Sequence, residues 1–187
     1  AKTKYKEMSG GRVSVTRFRP HGVMAVLGPF NFPMSMPNSH VMPALYAGNA
    51  VIFKPSEKTP LSALSYMELW KKAGLPEGVL QIVFGDAEIS GDLIELPGID
   101  GVLFIGSYRA GKNIENKMVN MNRICALEMG GNSPLVIWDY SDIRAAINIA
   151  IQSGFISSGQ RCSAARRLIV NENIYEEYIN ELCLAVK

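Results

Sequence analysis

Four short apolar runs, each followed by a glycine- or proline-marked turn, constrain this chain more than any other feature. Residues 23–27 (Val-Met-Ala-Val-Leu), 50–54 (Ala-Val-Ile-Phe-Lys), 79–84 and 101–105 are too short for buried helices and too uniformly apolar for half-wet strands. Runs of this kind suit strands covered on both faces. Between them the sequence predicts helices over 38–47, over 59–73, over 87–96 and, after the last run, over 108–119. Gly48-Asn49 suits a left-handed stop to the first helix. Thr59-Pro60 suits a capped start to the second, whose apolar face is expected at Leu61, Leu64, Met67 and Leu69. Strand, short loop, helix, strand at this spacing calls for parallel pairing with right-handed crossovers. The expected fold class is α/β, an open doubly wound parallel sheet.

The pattern changes after Asn122. Two apolar runs, 124–128 and 134–138, are separated only by a short link, and a helix over 143–155 follows, capped by Ser141 or Asp142. A strand is expected at 165–170. Ile174, Tyr178, Leu182 and Val186 then fall at four-residue spacing on a last helix. At the amino end, Val13, Val15 and Phe18 alternate with polar residues, predicting a strand with one wet face over 12–19. The expected division is residues 1–21 as an oligomerisation-type strand segment, 22–130 as a nucleotide-binding domain and 131–187 as the start of a second domain.

With 187 residues, 48% hydrophobic and 19% charged, the composition is that of an ordinary globular protein. Lys2, Lys4, Lys6, Arg12, Arg17 and Arg19 face only Glu7 at the amino end, whereas the remaining 13 cations meet 16 anions. A basic strip so small, with no interleaved aromatic residues, argues against a nucleic-acid partner. Proline and glycine interrupt every apolar run before it could span a bilayer. Three cysteines without a disulfide pattern favour a reducing cytoplasm. The chain opens on Ala1 and stops at Lys187 on a helix, so it is expected to be a fragment.

Five places carry candidate chemistry. Cys162 lies among Arg161, Arg166 and Arg167, and cations favour the reactive thiolate. Glu128, beside Gly130-Gly131, ends an apolar strand and could serve as a general base. Asn31, in the proline-fixed turn 28–33, could donate to an oxyanion. Lys54 and Glu57, beside Ser56 at the carboxyl end of a strand, could grip the hydroxyls of a ribose. Gly106-Ser107-Tyr108-Arg109-Ala110-Gly111 opens a helix and offers backbone amides to a phosphate. Each has a plainer reading as a buried thiol, a solvated carboxylate or a tight turn. With Lys112 the last stretch approaches a P-loop, but Asn113 replaces the hydroxyl that would hold magnesium. His21 and His40 read as structural, Cys125 and Cys183 as core, and no spacing suggests a metal site.

Taken in order, GPFNFP at 28–33, PALYAGNAVIFKPSE at 43–57, AGLPEGVLQIVFGD at 73–86, FIGSYRAG at 104–111, LEMGGNSP at 127–134 and GQRCSAARR at 159–167 resemble the aldehyde dehydrogenase superfamily. RPHGV at 19–23, PNSH at 37–40 and IQSGFISSGQRC at 151–162 are most similar to members acting on N-succinylglutamate 5-semialdehyde in arginine catabolism. The resemblance implies a Rossmann-like cofactor domain, incomplete here, followed by the start of an α/β catalytic domain, and an oligomer at full length. It implies an NAD-dependent oxidation, with Cys162 as nucleophile, Glu128 as general base and Asn31 as oxyanion donor together with the Cys162 backbone N–H. Lys54, Ser56 and Glu57 then match positions around the adenosine ribose. Gly106, Ser107, Tyr108, Arg109, Ala110 and Gly111 match the pyrophosphate loop, and Phe30 lies close to the nicotinamide. One of the arginines near Cys162 is a candidate for the substrate's carboxylates.

Ile105 stands where many relatives have Thr, and Phe30 replaces a common Trp. Because the family's chains are much longer, residues 1–187 alone are expected to show little or no turnover. A P-loop-like nucleotide binder, a thiol hydrolase using Cys162 and His40, and a non-catalytic oligomerisation module remain as competing readings.

Overall fold

A computed structural model describes residues 4–138 and 142–187. The chain divides into two compact units, residues 1–128 and 129–187.

The first unit begins with an antiparallel hairpin, β1 (Lys4–Ser9) and β2 (Arg12–Arg17), with Lys4 opposite Arg17. Gly10 and Gly11 both have positive φ, as a two-residue hairpin turn of this hand requires. Only β2 is expected from the sequence, because β1 is mostly polar and has no alternation of its own. The predicted strand also ran on to residue 19, past the observed end at Arg17. Val13, Val15 and Phe18 remain about half exposed.

The main sheet contains β3 (Val23–Leu27), β4 (Ala50–Lys54), β5 (Leu80–Ile82), β6 (Gly101–Gly106) and β7 (Ile124–Met129), in the order β5-β4-β3-β6-β7. β3 pairs in parallel with β4 on one edge and β6 on the other, so Leu27 stands level with both Lys54 and Phe104. The chain therefore winds outward from β3 in one direction, then returns to build in the other. Outside the carboxyl ends of the strands at such a reversal, here β3 and β6, is where ligands of open α/β sheets gather. Four helices connect the strands: α1 (Ser35–Tyr46), α2 (Pro60–Lys72), α3 (Ala87–Glu95) and α4 (Tyr108–Met118).

α1 starts earlier than the sequence predicts, because Pro37 lies in its first turn, where the missing N–H costs nothing. α2 turns a different face inward from the one expected. Ala63 and Tyr66 are buried and Met67 and Trp70 pack against the core, while Leu61, Leu64 and Leu69 are exposed. The reason is an aromatic stack: Phe53 of β4 meets Tyr66 edge-on at 5.7 Å, and Tyr66 meets Trp70 at 6.2 Å. Thr59 occupies the cap position of α2, but its side chain makes no capping bond and its Oγ1 is buried without a partner among the described residues. Pro60, with φ already set for a helix, provides the start instead.

The amino end of β3 is tied from two sides. Asn49 is buried; its Oδ1 accepts from His21 N at 2.6 Å and Gly22 N at 3.1 Å, and its Nδ2 donates to Ala44 O at 2.9 Å. Asp100 Oδ2 accepts from Val23 N at 2.8 Å, and a Cβ on Gly22 would lie 2.0 Å from that oxygen. The Gly48-Asn49 stop is thus a cap at Gly48 (φ +94°) followed by a bridging amide that the sequence did not announce.

In the second unit β8 (Ser133–Ile137) and β9 (Ala165–Val170) are parallel, joined through α5 (Ile143–Phe155), and α6 (Tyr175–Ala185) follows. Asp142 Oδ1 caps α5 by accepting from Ala145 N at 3.0 Å; the alternative cap, Ser141, lies outside the described residues. Ile137, Ala146, Ile147, Ala150 and Tyr178 form the core, with Ile174 and Leu182 packed on it. Val186 was expected on that face and is instead exposed, just past the last turn of α6.

Asn49→Ala would leave two backbone donors, His21 N and Gly22 N, without their partner, while Ala44 O keeps the Asn49 backbone N–H. We expect a loss of about 2–4 kcal/mol in urea unfolding, with Asn49→Asp retaining more because it keeps the acceptors.

Candidate functional site

The turn after β3 is packed tightly against its neighbours. Gly28 N donates to Lys54 O at 2.9 Å, and a Cβ on Gly28 would sit 2.8 Å from the Pro37 ring and 2.9 Å from the Phe53 ring. Glycine is therefore required, and Pro29-Phe30-Asn31 leave the sheet at a fixed angle. Phe30 is 43% exposed, and Lys58 holds its ammonium 5.1 Å over the ring, which links the turns after β3 and β4. Asn31 is half-buried.

At the end of β4, Lys54 is buried and Ser56 nearly so, while Glu57 is exposed. Lys54 Nζ lies 4.0 Å from Glu57 Oε2, Ser56 Oγ lies 3.4 Å from the same carboxylate oxygen, and Lys58 N donates to Ser56 Oγ at 3.3 Å. Burial pushes the Lys54 ammonium below the ordinary lysine range, and the Glu57 and Asp86 carboxylates push it back. A half-compensated ammonium beside an exposed carboxylate can offer one donor and one acceptor to a diol.

β6 ends at Gly106, where a Cβ would lie 2.4 Å from the Phe104 ring. Ser107 caps α4, its Oγ accepting from Ala110 N at 3.3 Å, and Gly111 N donates to Ser107 O at 3.0 Å. Tyr108 and Arg109 are exposed in the first turn, Ala110 is half-buried and Gly111 is buried. With the Ala110 and Gly111 amides taken by Ser107, the positive helix end and the amides ahead of them are what this turn has to offer an anion. Lys112, which a P-loop would aim at a phosphate, pairs instead with Glu115 one turn along α4. The turns after β3, β4 and β6, which leave the same end of the parallel ladder, thus carry Phe30 and Asn31, then Lys54, Ser56 and Glu57, then Gly106 to Gly111.

Glu128 is exposed near the end of β7. Its charge is felt by His40 on α1, whose Nδ1 is buried with no partner among the described residues. Burial lowers the imidazole below its ordinary value and Glu128 partly restores it. His40 reads as structural in the sequence; nothing local signals that α1 brings it near the end of β7.

Cys162 belongs to the second unit, in the turn before β9, and is exposed. Ser157 and Ser158 upstream both have φ of +56°, a left-handed conformation costing roughly 1–2 kcal/mol for each side-chain-bearing residue. The surrounding arginines do not form a cation cluster reserved for the thiol. Arg161 Nη2 donates to Ser153 O at 3.4 Å, Arg167 Nε donates to Asn132 O at 3.1 Å, and Arg166 is exposed. Among the described residues no group of three or more His, Cys, Asp or Glu side chains could hold a metal ion, and no helix is long and apolar enough to cross a membrane.

Because His40 is held low when folded, the unfolded chain binds more protons below about pH 6.5. The stabilisation is complete above that value and shrinks as pH falls. His40→Asn should flatten the fall in thermal midpoint between roughly pH 7 and pH 5, and Glu128→Gln should steepen it by removing the charge that supports the imidazolium.

The profile of the aldehyde dehydrogenase family matches residues 1–187. N-succinylglutamate 5-semialdehyde dehydrogenase 1 of Caulobacter vibrioides is 54% identical over 155 residues, which is 82% of this chain and 33% of that protein. An aldehyde dehydrogenase from Brucella melitensis biovar abortus 2308 superposes with a TM-score of 0.90 at 33% identity, over 100% of this chain and 39% of that one. An NAD+ complex of aldehyde dehydrogenase from Bacillus cereus gives a TM-score of 0.90 at 35% identity, over 96% and 37%. The chain spans about a third of the length of the curated relatives it matches.

Proposed function

The chain belongs to the aldehyde dehydrogenase family, and on that premise we propose that it carries the cofactor crevice and the nucleophile of an NAD-dependent semialdehyde dehydrogenase. The substrate proposed is N-succinylglutamate 5-semialdehyde, the compound in the name of the 54%-identical relative, in arginine catabolism. The observation that supports the reading best is the reversal of strand order at β3/β6. There a buried lysine beside an exposed carboxylate, a capped helix start and two glycines without room for a Cβ stand on neighbouring turns at one end of the sheet.

These residues fit a dinucleotide. Lys54 and Glu57 would take the adenosine ribose with Ser56 holding their turn, Gly106 to Gly111 the pyrophosphate, and Phe30 a position near the nicotinamide. When bound, that group supplies the hydride acceptor. The protein's own chemistry begins with the Cys162 thiolate, which attacks the aldehyde carbon. The Asn31 amide and the Cys162 backbone N–H stabilise the oxyanion. Oxidation leaves a thioester on Cys162. Glu128 then takes a proton from water, the resulting hydroxide attacks the thioester carbon, and carboxylate leaves as the thiolate is restored. The location proposed is the cytoplasm, whose reducing conditions would keep the Cys162 thiol free. The hairpin β1–β2, with Val13, Val15 and Phe18 exposed, suits self-association into a homo-oligomer.

Formation of reduced nicotinamide from the semialdehyde, measured on an enzyme of full family length that contains these residues, tests the proposal. Cys162→Ser should abolish it, whereas Glu128→Gln should keep a single burst and lose steady turnover, because acylation precedes the step that needs the base. Magnesium-dependent ATP binding lost on Lys112→Ala would overturn the reading in favour of a P-loop protein. Ester cleavage without nucleotide would favour a thiol hydrolase.

Coenzyme choice follows from the same crevice. The Glu57 carboxylate repels a 2′-phosphate, while Lys54 and Lys58 attract one. Glu57→Gln should lower kcat/KM for NAD by about 10-fold and lower that for NADP less, a ratio read directly from steady-state kinetics.

A further inference from the structure

The turn that presents Cys162 adopts a conformation that does not hold itself. Ser157, Ser158 and Gly159 follow α5 with φ of +56°, +56° and +68°. Left-handed residues normally occur singly, and a run of them persists only where its surroundings over-determine it. Part of the restraint is local: Gln160 N donates to Ser157 O at 3.0 Å. Part is steric, since a Cβ on Gly159 would lie 2.7 Å from Gly154 O, so the turn is pressed against the last turn of α5 and only glycine fits.

The remaining restraint converges on one residue. Ser153 accepts at its carbonyl from Arg161 Nη2 at 3.4 Å, and its Oγ accepts from Ala165 N at 3.2 Å. Arg161 directly precedes Cys162, and Ala165 lies three residues beyond it. Arg161 is half-buried, and its Nε is buried with no hydrogen-bond partner among the described residues. Between these anchors Ala164 N donates to Arg161 O at 3.2 Å and Ala164 is buried. Cys162 and Ser163 are the exposed residues of the arch.

We propose that Ser153 and Arg161 are positioning residues for Cys162: the last turn of α5 grips the chain on both sides of the cysteine and fixes where its sulfur and its backbone N–H point. This rests on the reading of Cys162 as the nucleophile. It gives Arg161 a task different from holding a substrate carboxylate, and it gives Ser153 one that no motif assigns.

The test is steady-state turnover of the semialdehyde with NAD in the full enzyme, together with hydrogen exchange of residues 157–165. Arg161→Met keeps the stem and removes the donors; Ser153→Ala removes only the hydroxyl. Each should lower kcat by roughly 10- to 100-fold, as expected when a reacting atom is misplaced by about an ångström. KM for aldehyde and for NAD should change less than about 3-fold, since neither residue is assigned to binding. Exchange over 157–165 should accelerate while the rest of the second unit keeps its protection. Arg161→Lys, which retains one donor, should recover part of kcat and remains informative if Arg161→Met does not fold. An arginine that binds substrate would instead raise KM for the aldehyde, and that result overturns the proposal. Wild-type kcat in both Ser153→Ala and Arg161→Lys, with exchange unchanged, overturns it as well. Turnover surviving Cys162→Ser defeats the nucleophile reading, and with it the catalytic meaning of the anchor. That failure is separable because Ser153 and Arg161 are intact in the variant.

Discussion

The double pairing of β3 is the constraint on which the first unit depends. A parallel strand buried on both faces and bonded on both edges has no freedom of register, because a one-residue slip would turn its side chains to the wrong faces. Leu27 is therefore level with Lys54 on one side and Phe104 on the other, and the turns that follow the three strands emerge side by side. The amino end is held as firmly, by the Asn49 amide and the Asp100 carboxylate acting on three successive backbone N–H groups, those of His21, Gly22 and Val23. Burial of Val26, Val51, Phe53 and Val102, each worth about 1.5–3 kcal/mol, makes this ladder the natural centre of the core.

Polarity in this unit is arranged along one edge. At the carboxyl ends of the strands stand a buried ammonium with two carboxylates in range, a cation over an aromatic ring and the start of a helix. The desolvation of Lys54 is offset in part by the Glu57 and Asp86 carboxylates, with the net balance still below the ordinary lysine range. The second unit concentrates its conformational strain instead of its charge. Its core is small and apolar, and the left-handed run before Cys162 is the part that needs external support.

Much of the fold was legible in the sequence because short apolar runs bounded by glycine and proline admit few arrangements. The parallel sheet, the helices between its strands and the turns at 28–33 and 106–111 all follow from that. Other elements left no such trace. β1 is polar and exists as a strand through its pairing with β2. The inward face of α2 was misjudged because leucines at helical spacing look buried, whereas the space beneath the helix is shaped by Phe53 and suits Tyr66 and Trp70. The arginines around Cys162 looked like partners of the thiol, yet Arg161 and Arg167 reach backbone carbonyls from 8 and 35 residues away in the sequence.

By itself the sequence determined the alternation of elements and the glycines that the tight turns require, and it singled out the candidate reactive side chains, because these depend on local sterics and on residue chemistry. Only the tertiary structure decided which strands became neighbours across long stretches of chain, that Asn49 would bridge two segments, that His40 would feel Glu128, and that Ser153 would grip the turn of Cys162 from both sides. Such contacts join residues whose separation in sequence carries no periodic signal. They arise only when the sheet and its helices have closed on each other.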